Sequence, residues 1–373
     1  MMQTGGLARD IGLADEARFI IELKRRRDLV YEYLDSWPGA VDFKPADIHD
    51  ALFSYVRNRG KGLRPALLML CAGAVGGDEV QALPAAAAVE IFQIWTLVHD
   101  DIIDRDLLRR GSPTVHSSYA QQGLERYSLT KTEADHYGLS VAILAGDLQQ
   151  SWGYALLCDL ANRGVAAELV LKLINRMSSS LTPRLLEGEM LDVQFSLSPV
   201  ESLTEDDILR MLSGKTAALL EYAAWAGAMI GLGDREDRNG YAERLGRFAA
   251  LCGTAFQLQD DLLGLTAHEA TLGKPVGSDI REGKRTLLVY YALASLDEAK
   301  RTKLLSVLGA QKASSAEIGA AVDIILESGA REHVETLANS YISQALKILE
   351  EIPDSESKGL LRQWASFLLA RRH

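Results

Sequence analysis

Five aspartates stand where structure alone would not put them. Asp100, Asp101 and Asp104 close the apolar run PAAAAVEIFQIWTLVH, Pro84–His99, and Asp260 and Asp261 close a second apolar run that begins near Arg244. Both clusters fall at the carboxyl end of an expected helix, where the helix dipole already places partial negative charge. Uncompensated buried carboxylates are costly, so such clusters need a strong counter-charge. A solvated helix terminus would explain either cluster alone. The two together are better explained by divalent cations. The donors are hard oxygens, with no cysteine and only His99 close by, which suggests magnesium shared with substrate phosphates. His99 reads as a core residue beside the cluster, not a ligand, and His116 flanks the other side.

Basic groups recur at separate places: Lys61 and Arg64 in NRGKGLRP, Arg109 with Arg110, Lys215, and Lys274 with Lys284. Lys61 and Arg64 lie on a glycine loop just before an expected helix, where free N–H groups and the dipole favour anions. A solvated basic loop is the plain alternative for that stretch by itself. Two acidic clusters and several basic ones around apolar helices describe a site for an apolar molecule with a diphosphate head.

The elements that must position these groups are helical. Pro84 can open a helix that nothing breaks before Asp104. Asp100 and Asp104, spaced i, i+4, share a face about 6 Å apart along the axis. Gln93 and Thr96 continue that polar stripe up a helix that is otherwise apolar, the pattern of a buried helix lining a polar cavity. Further helices are expected near 13–34, 48–56, 66–75, 137–160, 168–195 (weakly interrupted at Pro183), 217–230 and 244–265. Thr204 and Asp207 form a capping-box pattern ahead of a helix reaching Leu212, and Gly214, Lys215 and Thr216 interrupt the run beyond it. The polar segment from Gln121 to Asp135 reads as a surface excursion, and 272–288 as a Gly- and Pro-punctuated loop. Three or four amphipathic helices complete the chain. No β-branched alternation signals a strand. The expected fold is all-α, with residues 1–373 forming one domain of mostly buried helices in which the two carboxylate helices face each other across a central cavity.

Composition sets limits. The 373 residues are 47% apolar and 24% charged, with a net charge of −11, which argues against a nucleic-acid partner. Cys71, Cys158 and Cys252 lie far apart in apolar runs, so all three are expected to be buried and free. No signal-peptide core and no apolar run of membrane-spanning length is present, which predicts a soluble, cytoplasmic protein.

With these residues in place, the sequence resembles the trans-isoprenyl diphosphate synthases. DDIID at Asp100–Asp104 followed by RRG at Arg109–Gly111 is similar to that family's first aspartate-rich motif, and FQLQDDLLG at Phe256–Gly264 to its second. GKGLRP, the Lys215–Thr216 pair and GKPVGSDIREGKRT also match in type and order, so the resemblance spans roughly Lys61 to Leu288. It implies an all-helical homodimer, each chain a single-domain bundle of antiparallel helices around a deep central cavity with apolar walls, and about three magnesium ions. By motif position Asp100, Asp104 and Asp260 would bind metal, with Asp101 and Asp261 supporting. Arg109, Lys215, Gln257 and Lys274 would meet an allylic diphosphate, with Thr216 and Lys284 belonging to the same substrate-binding motifs. Lys61, Arg64 and Arg110 would meet isopentenyl diphosphate.

Three positions depart from the family pattern: Gly62 stands where a second basic residue is usual, Gln93 replaces a histidine, and Gly264 replaces the last aspartate of the second motif. Trp95 and Thr96, five and four residues before the first aspartate, with Phe92 one turn deeper, would form the pocket floor. An aromatic floor without a two-residue insertion in the first motif resembles the archaeal-type geranylgeranyl enzymes, so geranylgeranyl diphosphate is the expected product and farnesyl diphosphate the alternative. A class I terpene cyclase would not need the Lys61/Arg64 loop or the RRG, a non-catalytic partner subunit would lose aspartates, and a purely structural bundle leaves the charges unexplained.

Overall fold

The computed structural model describes residues 4–39, 43–233, 235–266 and 276–370. Nearly all of the described chain is helical. The helices are α1 (Thr4–Asp35), α2 (Ala46–Arg57), α3 (Leu63–Ala74), α4 (Leu83–Ile103), α5 (Val115–Tyr127), α6 (Lys131–Cys158), α7 (Ala167–Arg176), α8 (Thr182–Leu197), α9 (Glu205–Leu212), α10 (Ala218–Leu232) and α11 (Tyr241–Thr266). A short α12 (Ser278–Glu282) comes next, then α13 (Leu287–Ser295), α14 (Glu298–Val307), α15 (Ser315–Glu327), α16 (Ala330–Glu350) and α17 (Glu356–Ala370).

Helix α4 is the centre of the bundle. Ala85 to Ala88, Ile91 and Phe92 are wholly buried, because a helix apolar on nearly every face must be covered on every face. It packs most extensively on α6 and also touches α1, α3 and α10; α10 in turn packs on α3 and α11, and α17 closes over α3. Small residues permit the close crossings. A Cβ on Gly227 of α10 would stand 2.0 Å from the Leu68 carbonyl of α3.

Several expectations are corrected. The segment from Gln121 to Asp135 is not an excursion of variable form. It belongs to α5 and the first turn of α6, which starts at a Thr130/Glu133 capping box. Its polar composition is that of helices covered on one side, where Tyr119 and Ala120 are buried. Strands β1 (Leu108–Arg109) and β2 (Ser112–Pro113) pair as a two-residue hairpin, too short to show alternation. The stretch at Gly214–Thr216 is not a break but a π-helical turn, Ser213–Ala217, joining α9 to α10. A second π turn, Met177–Leu181, absorbs the disturbance ahead of Pro183, which then sits in the first turn of α8. Cys71 and Cys252 are buried, but Cys158 is exposed, because the last residue of α6 turns to solvent. Among the described residues five helices, not three or four, run from Leu287 onward. No described helix is long and apolar enough to cross a membrane.

Candidate active site

The first aspartates end α4 as the sequence requires. Asp104 is the C-cap, its N–H returning to the Asp100 carbonyl at 2.8 Å. Arg105, at φ +59°, turns the chain out of the helix. The hairpin then brings the chain back over α4. Its two turn residues, Arg110 (φ +53°) and Gly111 (φ +76°), are both left-handed, as a two-residue turn matching the strand twist demands. Glycine adopts this freely and arginine does not.

This turn sends the two arginines to different partners. Arg109 Nη2 lies 3.1 Å from Asp100 Oδ2, and its Nε donates to Asp101 Oδ1. Asp101, 1% exposed, also accepts from the Tyr55 hydroxyl of α2. Arg110 instead faces Glu90 of α4 and the Gly60 loop. Both arginines line a cavity with Tyr31, Tyr55, Glu90, Gln93 and Leu97. Gln93, on the polar stripe of α4, thus lines the same cavity as both arginines.

On the other side of Asp100, Lys215 projects from the π turn. Its Nζ lies 3.2 Å from Asp100 Oδ1, 2.7 Å from Asp192 and 3.0 Å from Glu189, the last two on α8. It reaches both because α8 and the π turn meet backbone to backbone. A Cβ on Gly188 would stand 2.2 Å from the Lys215 nitrogen. Lys284 similarly pairs with Asp104 at 2.7 Å and Glu282 at 3.0 Å. Asp279 and Asp192 add to the stabilisation of its charged form.

The second motif is held from the π turn and from within its own helix. Thr216 donates to Gln257 at 2.7 Å, and Gln257 donates to Asp261 Oδ1 at 2.9 Å. Asp192 and Asp279 each lie near both Lys284 and Asp261, so they link the two aspartate clusters. The departure at Gly264 has a local counterpart: a Cβ there would stand 3.2 Å from Asp279 Oδ2.

Charge states reflect this geometry. Burial would raise Asp100, but Lys215, Lys284 and Arg109 outweigh it and pull its carboxyl down to about 2. Burial pushes Glu189 up to about 7 despite Lys215, and pushes Asp261 up to about 8, helped by Asp279. These carboxylates fit a hard divalent cation. The donors are all oxygen, and the buried Asp261 Oδ2 accepts no hydrogen bond. Among the described residues no three acidic, histidine or cysteine side chains are grouped so as to hold a metal ion; Asp100, Glu189 and Asp192 converge instead on the Lys215 ammonium, and Asp104 and Glu282 on that of Lys284.

The Gly62 departure is also explained. Gly62 is left-handed (φ +66°) at the start of α3, and a Cβ there would collide with the Arg27 stem of α1 at 2.6 Å. Lys61 is exposed and Arg64 half-buried at the head of α3, while Lys274 lies outside the described residues. Asp260 is half-buried on α11. Phe92 and Trp95 are buried and meet edge to face with centroids 4.7 Å apart. Trp95 also meets His99 edge to face, and the His99 ring covers Gly146 of α6, so this aromatic group faces α6. Thr96 donates to the Gln93 carbonyl at 2.8 Å.

Residues given no site role from the sequence are Tyr31, Tyr55, Glu90, Glu189, Asp192, Asp279 and Glu282, although Glu189 and Asp192 already marked the later part of the 168–195 helix. Glu90 carried a visible signal, one charge inside AAAAVEIF. The tyrosines carried none, since their roles exist only where helices cross.

The Polyprenyl synthetase family matches residues 45–325. The chain belongs to this family. It is 36% identical over 330 residues to the geranylgeranyl diphosphate synthase of Methanosarcina mazei, covering 88% of this chain and 91% of that one. It is 36% identical over 328 residues to the enzyme of the same name from Sulfolobus acidocaldarius, covering 87% and 91%. Among solved structures, the geranylgeranyl pyrophosphate synthetase of Pyrococcus horikoshii superposes with a TM-score of 0.81 at 31% identity, over 95% of this chain and 99% of that one. The synthase of Corynebacterium glutamicum, solved with isoprenyl diphosphate and magnesium, gives 0.82 at 30%, over 94% and 99%. The all-α isoprenoid synthase fold is thereby shown, and the chain is a prenyltransferase condensing isopentenyl diphosphate with an allylic diphosphate.

Proposed function

We propose that this enzyme makes geranylgeranyl diphosphate by magnesium-dependent head-to-tail condensation, binding its two substrates on either side of the Arg109–Arg110 turn. The observation that carries the reading is the divergence of these adjacent arginines, one onto the aspartates and one onto the Glu90–Gln93 face of α4.

Arg109, Lys215, Gln257 and Lys274 orient the allylic diphosphate. Lys61, Arg64, Gln93 and Arg110 hold isopentenyl diphosphate so that its double bond faces the allylic carbon. Thr216 fixes Gln257, and Lys284 neutralises Asp104. About three magnesium ions, held by Asp100, Asp104 and Asp260 with Asp101 and Asp261 supporting, would stabilise charge on the departing diphosphate. Apolar walls keep water from the allylic cation, and the proton lost after carbon–carbon bond formation passes to the released diphosphate. Phe92, Trp95 and Thr96 form the floor that stops chain growth.

Residues 1–373 are read as one functional unit, because α1 delivers Tyr31 to the cavity and α17 packs on α3. A homodimer is taken from the resemblance, and exposed Ile143 and Leu144 on α6 offer an apolar strip for it.

The test is chromatography of products from labelled isopentenyl diphosphate with each allylic starter. A C20 product is expected, and Trp95→Ala should lengthen it. A C15 end product overturns the geranylgeranyl assignment. A cyclic product formed from an allylic diphosphate alone overturns the condensation reading. Unchanged products from Trp95→Ala remove Trp95 as the floor.

A further inference from the structure

Glu90 is a charge in the wrong place. It sits in the middle of α4, flanked by wholly buried Val89 and Ile91, and is 6% exposed. A carboxylate there is tolerated only if it is hydrogen-bonded and paired. Its hydrogen-bond donor is the hydroxyl of Tyr31, at 2.6 Å. Its electrostatic partners are Arg64, at the head of α3, and Arg110, on the hairpin turn.

Tyr31 links this carboxylate to the basic loop. Its hydroxyl accepts from the Gly60 N–H at 2.5 Å while donating to Glu90. Three groups converge at Gly60. A Cβ built there would lie 3.1 Å from Glu90 Oε1, 3.2 Å from the Tyr31 hydroxyl and 3.4 Å from Arg110 Nη1. The cluster therefore ties together α1, α4, the Gly60 loop and the hairpin. Tyr31 lies outside the 45–325 segment matched by the family, yet its side chain is 0% exposed and lines the cavity.

We propose that Glu90 and Tyr31 are positioning residues for the isopentenyl diphosphate subsite, holding Arg110 and the Gly60–Arg64 loop in their binding places before substrate arrives. This rests on the substrate assignment above. The charge balance suits the task. One carboxylate set against Arg64 and Arg110 leaves excess positive charge for a diphosphate, and Lys61 adds to it. Long basic side chains lose considerable rotamer freedom on binding, and fixing them beforehand removes that loss from the binding step. The left-handed Arg110 backbone (φ +53°) is the kind of strain that persists only when surrounding contacts over-determine it.

The test compares wild type with Tyr31→Phe and Glu90→Gln in steady-state assays varying each substrate, alongside melting temperature. Both changes keep shape while removing a hydroxyl or a charge. The expected result is a KM for isopentenyl diphosphate raised roughly 10-fold, with KM for the allylic substrate and kcat within about 2-fold. Calorimetric binding of isopentenyl diphosphate should weaken in parallel. Equal losses in both substrates together with a lower melting temperature, or no change in either KM, overturn the proposal. If Glu90→Gln does not fold, Tyr31→Phe alone decides. Failure of the wild type to condense the two substrates would overturn the substrate assignment instead.

Discussion

At the residue scale, two departures from the family pattern are adaptations to neighbours. Gly62 is glycine because its φ is left-handed and because Arg27 fills the space beside it. Gly62→Arg, which restores the usual basic residue, should cost about 1–3 kcal/mol from strain alone and should not tighten isopentenyl diphosphate binding. Urea unfolding and calorimetry check both. Gly264→Asp would set a new carboxylate beside Asp279, 3.2 Å from the added Cβ. Like charges so placed repel. The variant should melt earlier than wild type in metal-free solution and recover with magnesium, which binds only the folded form; equal melting temperatures without metal would refute the repulsion. The aspartates, lysines and arginines were legible in the sequence because chemistry restricts their type. Their pairing was not. Nothing in RRG says that Arg109 turns to Asp100 while Arg110 turns to Glu90, because that depends on two positive φ angles.

At the scale of elements, the π turn carrying Lys215 is set by the crossing of α8 over Gly214. Gly188→Ala places a methyl 2.2 Å from the Lys215 nitrogen, against backbone that has little room to yield. Overpacking of this kind costs about 1–3 kcal/mol, and displacing Lys215 from Asp100 and Asp192 should lower kcat, readable in the same assay. The docking of α2 on α5 and α6 joins apolar packing, such as Phe53 on Trp152, to a polar cluster at Asp47. Arg126 pairs with Asp47 at 2.9 Å, and Tyr137 donates to its other oxygen at 2.8 Å. These contacts, Arg126 foremost, hold the Asp47 carboxyl below the usual range. A group with a depressed folded pKa stabilises the fold above its unfolded pKa, about 3.9, and loses that contribution as pH falls through the folded value. Asp47→Asn should therefore show a shallower loss of stability than wild type below about pH 4, measured by urea midpoints across pH. The capping box at Thr204 and the ends of the long apolar helices were visible in sequence. Helix α5 was not, since a polar composition describes both a loop and a helix covered on one side.

At the scale of the molecule, the carboxyl-terminal helices carry no chemical motif and act through packing. Trp364 of α17 is wholly buried, and its indole N–H donates to the Leu63 carbonyl at the head of α3 at 3.1 Å. α3 starts where the Lys61 loop ends, so this contact supports the basic loop from behind. Trp364→Ala should cost about 3–5 kcal/mol, seen as a lower denaturant midpoint at unchanged slope. A loss below about 1 kcal/mol would mean that α17 is dispensable to the core.

The sequence by itself determined the all-α class, the two aspartate clusters, the order of the basic motifs and the family. These are properties of residue type and spacing along one helix or loop, and they are written in the chain. Only the tertiary structure decided which lysine answers which aspartate, that Glu189, Asp192 and Asp279 join the site, and that Tyr31 reaches Glu90 across 59 positions of sequence. Such contacts form where helices cross, and the crossings are fixed by small residues and close packing summed over the whole bundle. A local reading of the chain does not contain that sum.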